Sequence, residues 1–398
     1  MDARPKVAWA VVFLFGLSSG AFGAEQADRP PAPPTAESLT RAATAAGFRV
    51  RKAAADLPAA ARSKLVFQAA NYDDPLLAHL RQEYRLEEVV AGAEDEWGKQ
   101  LLLKEWVHDR IPGGTPKVNV RHAAEILEQA AKGETFWCTY YAITYTECAL
   151  ALGWQARKIG VDRNHGPEGA GSTHHGVSEV WSNRFRKWIL IDPQSNLHFE
   201  KDGVPLSAWE IRAEWLRNGG QKVDHVVGVP PRAEKRNPAI VWWKRADEDE
   251  TACYFWLYVS DHALAPEGDR GVKFLFPQDD ANKDLVWYQN AGENGEKHRG
   301  YRHDLFVPTQ RIEDVYWTVG IVEPRIASAT DGTIRLGLDS YCPNRTAYEI
   351  ARDDGTWEAI SGASFEWQPK SGVNVLKLRT VSAGGVTGPV ATLRLEIE

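Results

Sequence analysis

The sequence predicts an α+β protein: one mixed domain followed by two all-β modules. Three observations point there. From about residue 95 to residue 152 apolar residues recur at helical spacing, and from Trp154 they alternate. Beyond "VPPRAEKRNP" only short aromatic and β-branched segments separated by turn residues occur, with no helical pattern.

In "AEDEWGKQLLLKEWVHDRIPGG", Leu102, Leu103, Trp106 and Val107 form a helical stripe. Acidic residues gather at its start, as the helix dipole favours, and "IPGG" ends it. The next helix spans roughly Val120 to Ala131, with Ala123, Ile126, Leu127 and Ala130 on its apolar face and Gly133 as the stop. Another begins near Cys138. Its residues, "CTYYAITYTECALALG", are small or apolar almost all round, which marks a helix buried at a domain centre, and Gly153 suits its C-terminal cap. "WQARKIGV" reads as a strand, "DRNHGPEGAGST" as a glycine-rich loop, and "THHGVSEVWSNRFRKWILIDP" as a β-hairpin. These elements place the mixed domain at residues 61–228. The segments "AIVWWKR", "CYFWLYVS", "VKFLFP", "LVWYQ" and "VYWTVGIVE" predict a β-rich module over 236–322. The evenly spaced "TIRLGLDS", "AYEIARD", "SFEWQP", "NVLKLRTVS" and "ATLRLEIE" predict a small β-sandwich over 323–398.

The start of the chain has a different character. Arg4 and Lys6 precede the apolar run "VAWAVVFLFGL" and the small residues "SSGAFGA", the layout of a secretory signal peptide over residues 1–23, cleaved near Gly23. The run is far shorter than the ~20 apolar residues that span a bilayer. A secreted or periplasmic protein without a stable membrane anchor is therefore expected. Residues 24–60, opening on "AEQADRPPAPPTAES", read as a proline-rich linker and N-terminal extension without a packing role.

The 398 residues are 43% hydrophobic and 25% charged, ordinary for a globular chain, with a net charge of −7. Losing the leader removes two positive charges and one negative one, leaving −8. An acidic chain without a basic tract argues against a nucleic-acid partner. Cys138, Cys148, Cys253 and Cys342 are too few for a disulfide scaffold.

Cys138 follows "GETFW" at the predicted start of the buried helix, where unpaired N–H groups and the helix dipole favour a thiolate. The alternative is an inert buried thiol. A disulfide to Cys148 fails on distance, because ten helical residues rise about 15 Å. If Asn183 and Arg184 form a two-residue turn, Ser182 pairs with Phe185 and His175 lies directly across from Asp192. Their Cβ atoms would then be about 5 Å apart on one face. His174 would face Pro193 and point the other way. A helix-start cysteine, a strand histidine and an aspartate on the next strand form a nucleophile, base and orienting group.

With those residues in place, the chain resembles the transglutaminase-like (papain-like) superfamily over roughly residues 80–220. "GETFWCTYYAITYTECALALGWQARKI", "HGVSEVW" and "KWILIDPQ" carry the resemblance. It implies catalytic Cys138, His175 and Asp192, in that order along the chain, and amide-bond chemistry through a thioester. Hydrolysis of a peptide, protein or glycopeptide substrate is the first expectation. Glutamine crosslinking, and a non-catalytic binding protein on the same fold, are the alternatives. Val177 departs from the family, which often has tryptophan there. The last module resembles a fibronectin or immunoglobulin-like sandwich.

One oxyanion donor is expected from the Cys138 backbone N–H, and a second from Trp106 or from the stretch between Gly113 and His122. His165 and Glu168 read as solvated loop residues. Together with His174 they match no metal spacing, and no EF-hand loop is present, so no metal or cofactor is expected. Glu179 shares the His175 face and reads as a structural hydrogen-bonding residue. The aromatic residues between Val241 and Trp317 read as core, or as contacts to a surface polymer or carbohydrate through the β modules.

Overall fold

The computed structural model describes residues 32–65, 67–162, 175–230, 232–236, 256–264, 272–282, 288–289, 298–299, 306–360 and 362–398. Both helices and strands are present. Helix α1 (Ala36–Ala45) and strand β1 (Val50–Asp56) come first. Helices α2 (Pro75–Glu83), α3 (Leu86–Val90), α4 (Glu96–Arg110), α5 (Ala123–Ala131) and α6 (Cys138–Ala151) follow. Strands β2 (Ala156–Asp162), β3 (His175–Ser182), β4 (Lys187–Asp192), β5 (Leu197–Lys201) and β6 (Val204–Pro205) precede helix α7 (Ala208–Asn218). Next come β7 (Asp224–Val227), β8 (Glu234–Arg236), β9 (Trp256–Ser260) and β10 (Phe274–Pro277). A short ribbon, β11 (Tyr288–Gln289) and β12 (His298–Arg299), leads to β13 (Phe306–Thr309). The last strands are β14 (Glu323–Thr330), β15 (Thr333–Asp339), β16 (Arg345–Arg352), β17 (Glu358–Ile360), β18 (Ser364–Trp367), β19 (Gly372–Ser382) and β20 (Ala391–Ile397).

One sheet runs β13-β10-β9-β2-β3-β4-β5-β7-β8, with β6 hydrogen-bonded to β5. Its pairs are antiparallel except β10 with β13. Period-two alternation gives the sheet two apolar faces. Val180, Ile189 and Ile191 pack with Leu101, Val107, Ile126 and Tyr145 of the helical layer. Val177 and Leu190 face the other core, with Ala208 and Ile211 of α7. Helix α7 was absent from the sequence reading, although Ser207 and Glu210 form its capping box.

Three expectations change. The segment 236–322 is not a separate module in its described part: β9, β10 and β13 extend the sheet of the mixed domain. Ile159 pairs with Val259, and Leu257, Val259, Leu275 and Val315 enter the same core as β2 and β3. Gly160 permits this, because a Cβ there would lie 2.1 Å from the Tyr258 ring. The expected strand "VYWTVGIVE" is irregular up to Glu323, since Val315, Trp317 and Val322 anchor in three different apolar clusters. "AIVWWKR" lies outside the described residues.

The third change concerns residues 24–60. Leu39, Ala42 and Ala43 of α1 are buried, and β1 pairs antiparallel with β20, Ala53 opposite Leu395. Helix α1 and strand β1 therefore belong to the C-terminal unit. There the sheets β1-β20-β19-β16-β17 and β14-β15-β18 share one core that includes Leu39, Leu336, Ile350 and Leu393. Helix α6 meets this unit at Gly153, whose φ is +82° and where a Cβ would lie 2.6 Å from Gly384 Cα.

Candidate active site

Cys138 is the first residue of α6, and the preceding Trp137 is extended and makes no side-chain cap. No side chain therefore caps the first-turn N–H groups, of which Tyr140 N–H donates to Trp137 O at 3.1 Å. The lead-in is held rigidly. Phe136 N–H donates to Pro112 O at 2.8 Å, Gly114 N–H donates to Phe136 O at 3.0 Å, and the Tyr141 hydroxyl bonds Ile111 O. Behind the thiol, α6 is buried through Tyr141, Tyr145 and Cys148, and it packs directly on β3.

His175 opens β3 and Asp192 ends β4, with side chains 7% and 0% exposed. His175 Nε2 lies 2.9 Å from Asp192 Oδ2. His175 also hydrogen-bonds Cys138. Gly176 N–H donates to Cys138 Sγ at 3.3 Å. The three residues singled out from the sequence therefore form one continuous chain of contacts.

The register that brings them together is not the expected one. Ser182 pairs with Lys187, so Asn183 to Arg186 form a four-residue turn and Asp192 would align with Val177. The cause is tertiary. Glu96 at the start of α4 accepts from Asn183 N–H at 2.9 Å and from its Nδ2 at 3.0 Å, and Arg186 takes a left-handed φ of +54°. The slip is two residues, an even number. Side chains keep their face, and the His175–Asp192 bond forms on a diagonal instead of directly across.

The charges follow from this geometry. Burial raises the Cys138 thiol, but the His175 hydrogen bond and charge, with the Gly176 N–H, outweigh it and bring the thiol below its ordinary value. Burial lowers His175, but the charge and hydrogen bond of Asp192, then Cys138, carry it up to about 10. Burial raises Asp192, yet His175 and Ser195 hold it below the ordinary carboxylate range. Cys148, 0% exposed on the same helix, is pushed up by burial. Cys138, Cys148 and Cys342 are free thiols, whereas Cys253 lies outside the described residues.

Close approach of β3 to α6 depends on Gly176. A Cβ there would lie 2.9 Å from Thr139 Cα and 3.1 Å from Thr139 N. Gly176→Ala must push His175 away from Cys138. We expect about 10²-fold lower reactivity at Cys138, because a displacement near 1 Å has that effect on aligned groups. Alkylation kinetics read by mass spectrometry check it.

Two supporting residues escaped the sequence reading. Lys104 Nζ, wholly buried on α4, donates to Asn196 O and Gly228 O, each at 2.9 Å. His108, one turn on, donates Nδ1–H to Gln194 O at 2.9 Å. Together they pin the turn whose Ser195 N–H donates to Asp192 Oδ1 at 3.2 Å. The available signal was a lysine between Leu103 and Val107 of the apolar stripe. Lys104→Met is expected to cost about 1–3 kcal/mol through the carbonyls it leaves unpaired. It should also slow Cys138 alkylation, and denaturation midpoints with labelling rates measure both.

The other candidates fall elsewhere. Trp106 is half-buried between Tyr84, 6.0 Å away, and Arg110, 5.3 Å from its ring, and is a packing residue. Glu179 is wholly buried and hydrogen-bonded to Arg157, Ala208 N–H and Tyr316. Val177 packs in the second core. His165, Glu168 and His174 lie outside the described residues. Among the described residues no group of three or more His, Cys, Asp or Glu side chains has the geometry of a metal site.

No family model matches the chain, and no curated protein matches it. A solved structure of a provisionally named cysteine protease from Cytophaga hutchinsonii aligns with 30% of this chain at 16% identity, with a TM-score of 0.24. The alignment spans 41% of that protein, less than half its length.

Proposed function

We propose that the protein is a thiol enzyme of transglutaminase-like architecture that hydrolyses amide bonds, with Cys138 as nucleophile, His175 as acid and base, and Asp192 as orienting group. One observation carries the reading: a free thiol at an uncapped helix start, linked through a buried imidazole to a buried carboxylate.

The same geometry supplies the steps. Asp192 holds His175 protonated, and the imidazolium in turn lowers the Cys138 thiol below its ordinary value and favours the thiolate. Sulfur attacks the carbonyl carbon, and the oxyanion takes the Cys138 backbone N–H. The C–N bond breaks as His175 protonates the departing amine, leaving a thioester. Water then attacks, His175 takes its proton, and collapse releases the carboxylic acid and restores the thiolate–imidazolium pair. An amine in place of water gives transfer instead. Peptides, proteins and glycopeptides carry the bond this chemistry needs. Export belongs to the proposal on the strength of the leader alone, and residues 1–31 lie outside the described residues. Among the described residues no helix is long and apolar enough to cross a membrane.

Iodoacetamide labelling across pH tests the nucleophile, with Cys148 and Cys342 as internal standards. Cys138 should label fastest, and its rate should hold well below the ~8.5 pKa of a free thiol. Labelling at the rate of an ordinary thiol would favour a binding protein. Ammonia release from glutamine peptides, with and without a primary amine, separates hydrolysis from crosslinking.

A further inference from the structure

Trp137, the residue before the thiol, is 46% exposed. Single exposed apolar residues are ordinary on a protein surface, so exposure alone signifies little. Its position sets it apart. The other large hydrophobic residues exposed among the described residues are aliphatic, and Val204, Leu216 and Val373 lie on β6, α7 and β19.

Two local preferences are broken at this one place. An apolar ring faces water, and it does so at the N-cap of α6, where Ser, Thr, Asp or Asn would hydrogen-bond the first-turn N–H groups and steady the helix. An indole is a donor only and makes no such cap. An absent cap leaves the N–H groups near the thiol without a competing side chain, but alanine or glycine would leave it absent equally well. The indole itself needs a separate reason. Local rules broken without gain to the fold mark functional positions.

The ring is also held in place. Trp137 is extended, with φ −96° and ψ −179°, and its carbonyl accepts from Tyr140 N–H at 3.1 Å. Phe136 before it is 0% exposed and is fixed on both sides by its bonds to Pro112 O and Gly114 N–H. The Tyr140 ring meets both neighbours, with centroids 5.0 Å from Phe136 and 5.9 Å from Trp137. A chain of aromatic rings thus runs from the core to the surface and ends on the residue adjoining Cys138. Consecutive Cα atoms are about 3.8 Å apart, so a peptide whose carbonyl sits on the Cys138 sulfur passes within side-chain reach of that indole.

We propose that Trp137 is a specificity-determining residue whose indole receives an aromatic side chain next to the scissile amide, so that the preferred substrates are peptides with an aromatic residue at that bond. The inference rests on Cys138 being the nucleophile. Tryptophan suits the role because it offers a large contact area with few rotatable bonds, and ring pairs gain beyond the area they bury.

Two matched pairs of alkylating agents, applied to the full chain, test it. One pair is N-benzyliodoacetamide and N-methyliodoacetamide, and the other is the chloromethyl ketones of N-acetylphenylalanine and N-acetylglycine. In each case the Cys138 sulfur bonds to the methylene carbon and the halide leaves. The rate ratio within a pair, divided by the same ratio for N-acetylcysteine, isolates the ring. It should be about 10-fold for at least one pair, the size of one aromatic contact. Trp137→Phe should keep most of that preference and Trp137→Ala should lose it. A ratio near unity for both pairs, or one unchanged in Trp137→Ala, overturns the proposal, while fast labelling by the ring-free agents leaves the nucleophile standing. Ring-free labelling no faster than that of N-acetylcysteine, at a pH well below the ordinary thiol pKa, overturns both.

Discussion

His175→Ala is expected to lower turnover by about 10⁴-fold or more, as loss of a triad member does. Without the imidazole, burial is the dominant influence left on Cys138, so its thiol should rise above the ordinary value and labelling near neutral pH should collapse. Stability changes as well. The raised pKa of His175 means its protonated form stabilises the fold fully below the unfolded value of about 6.5. That contribution is lost as pH rises through about 10. At pH 7 the variant forfeits it and leaves the wholly buried Asp192 without its cation, a loss of about 3–5 kcal/mol. Adding Asp192→Asn should restore most of the stability and none of the activity. A double variant as unstable as the single one would show that the histidine matters mainly for packing.

Arg157→Met should be the most destabilising change away from the thiol. Arg157 Nε and Nη2 lie 3.0 and 2.6 Å from Glu179 Oε2, the guanidinium stacks 4.1 Å from the Trp188 ring, and Nη1 bonds Val315 O. Glu179 Oε1 in turn accepts from Ala208 N–H and the Tyr316 hydroxyl, each at 2.9 Å. One ion pair therefore joins β2, β3, the start of α7 and the irregular segment before β14. Removing the cation leaves Glu179 charged and 0% exposed, at about 3–5 kcal/mol. Arg157→Met with Glu179→Met should recover most of the loss, because the penalty lies in the unpaired charge. Urea midpoints for the two single variants and the double variant decide it. Equal loss in all three would place the effect in the aromatic stacking instead.

Much of the candidate site is visible locally. Cys138 opens a helix because "GETFW" cannot continue one and "CTYYAITYTECALALG" can, and Gly153 ends it with the left-handed φ that glycine allows. His175 and Asp192 share a face because strand side chains alternate, and that parity survived the wrong turn length. The start of α5 is a smaller case. Its pattern suggested Val120, but Glu125 accepts from the Arg121 and His122 N–H groups, and the helix begins at Ala123.

The sequence by itself determined the periodicities, the helix start that exposes the thiol, and the face shared by its two partners. The first two depend on residues within a few positions of one another, and the third on two neighbouring strands joined by one turn. The tertiary structure alone decided the four-residue turn held by Glu96, the Lys104 bonds behind Asp192, the Arg157–Glu179 pair, the extension of the sheet by β9 and β10, and the pairing of β1 with β20. The physical reason is common to all of them. Buried charges and open strand edges need partners, and folding supplies those partners from distant parts of the chain.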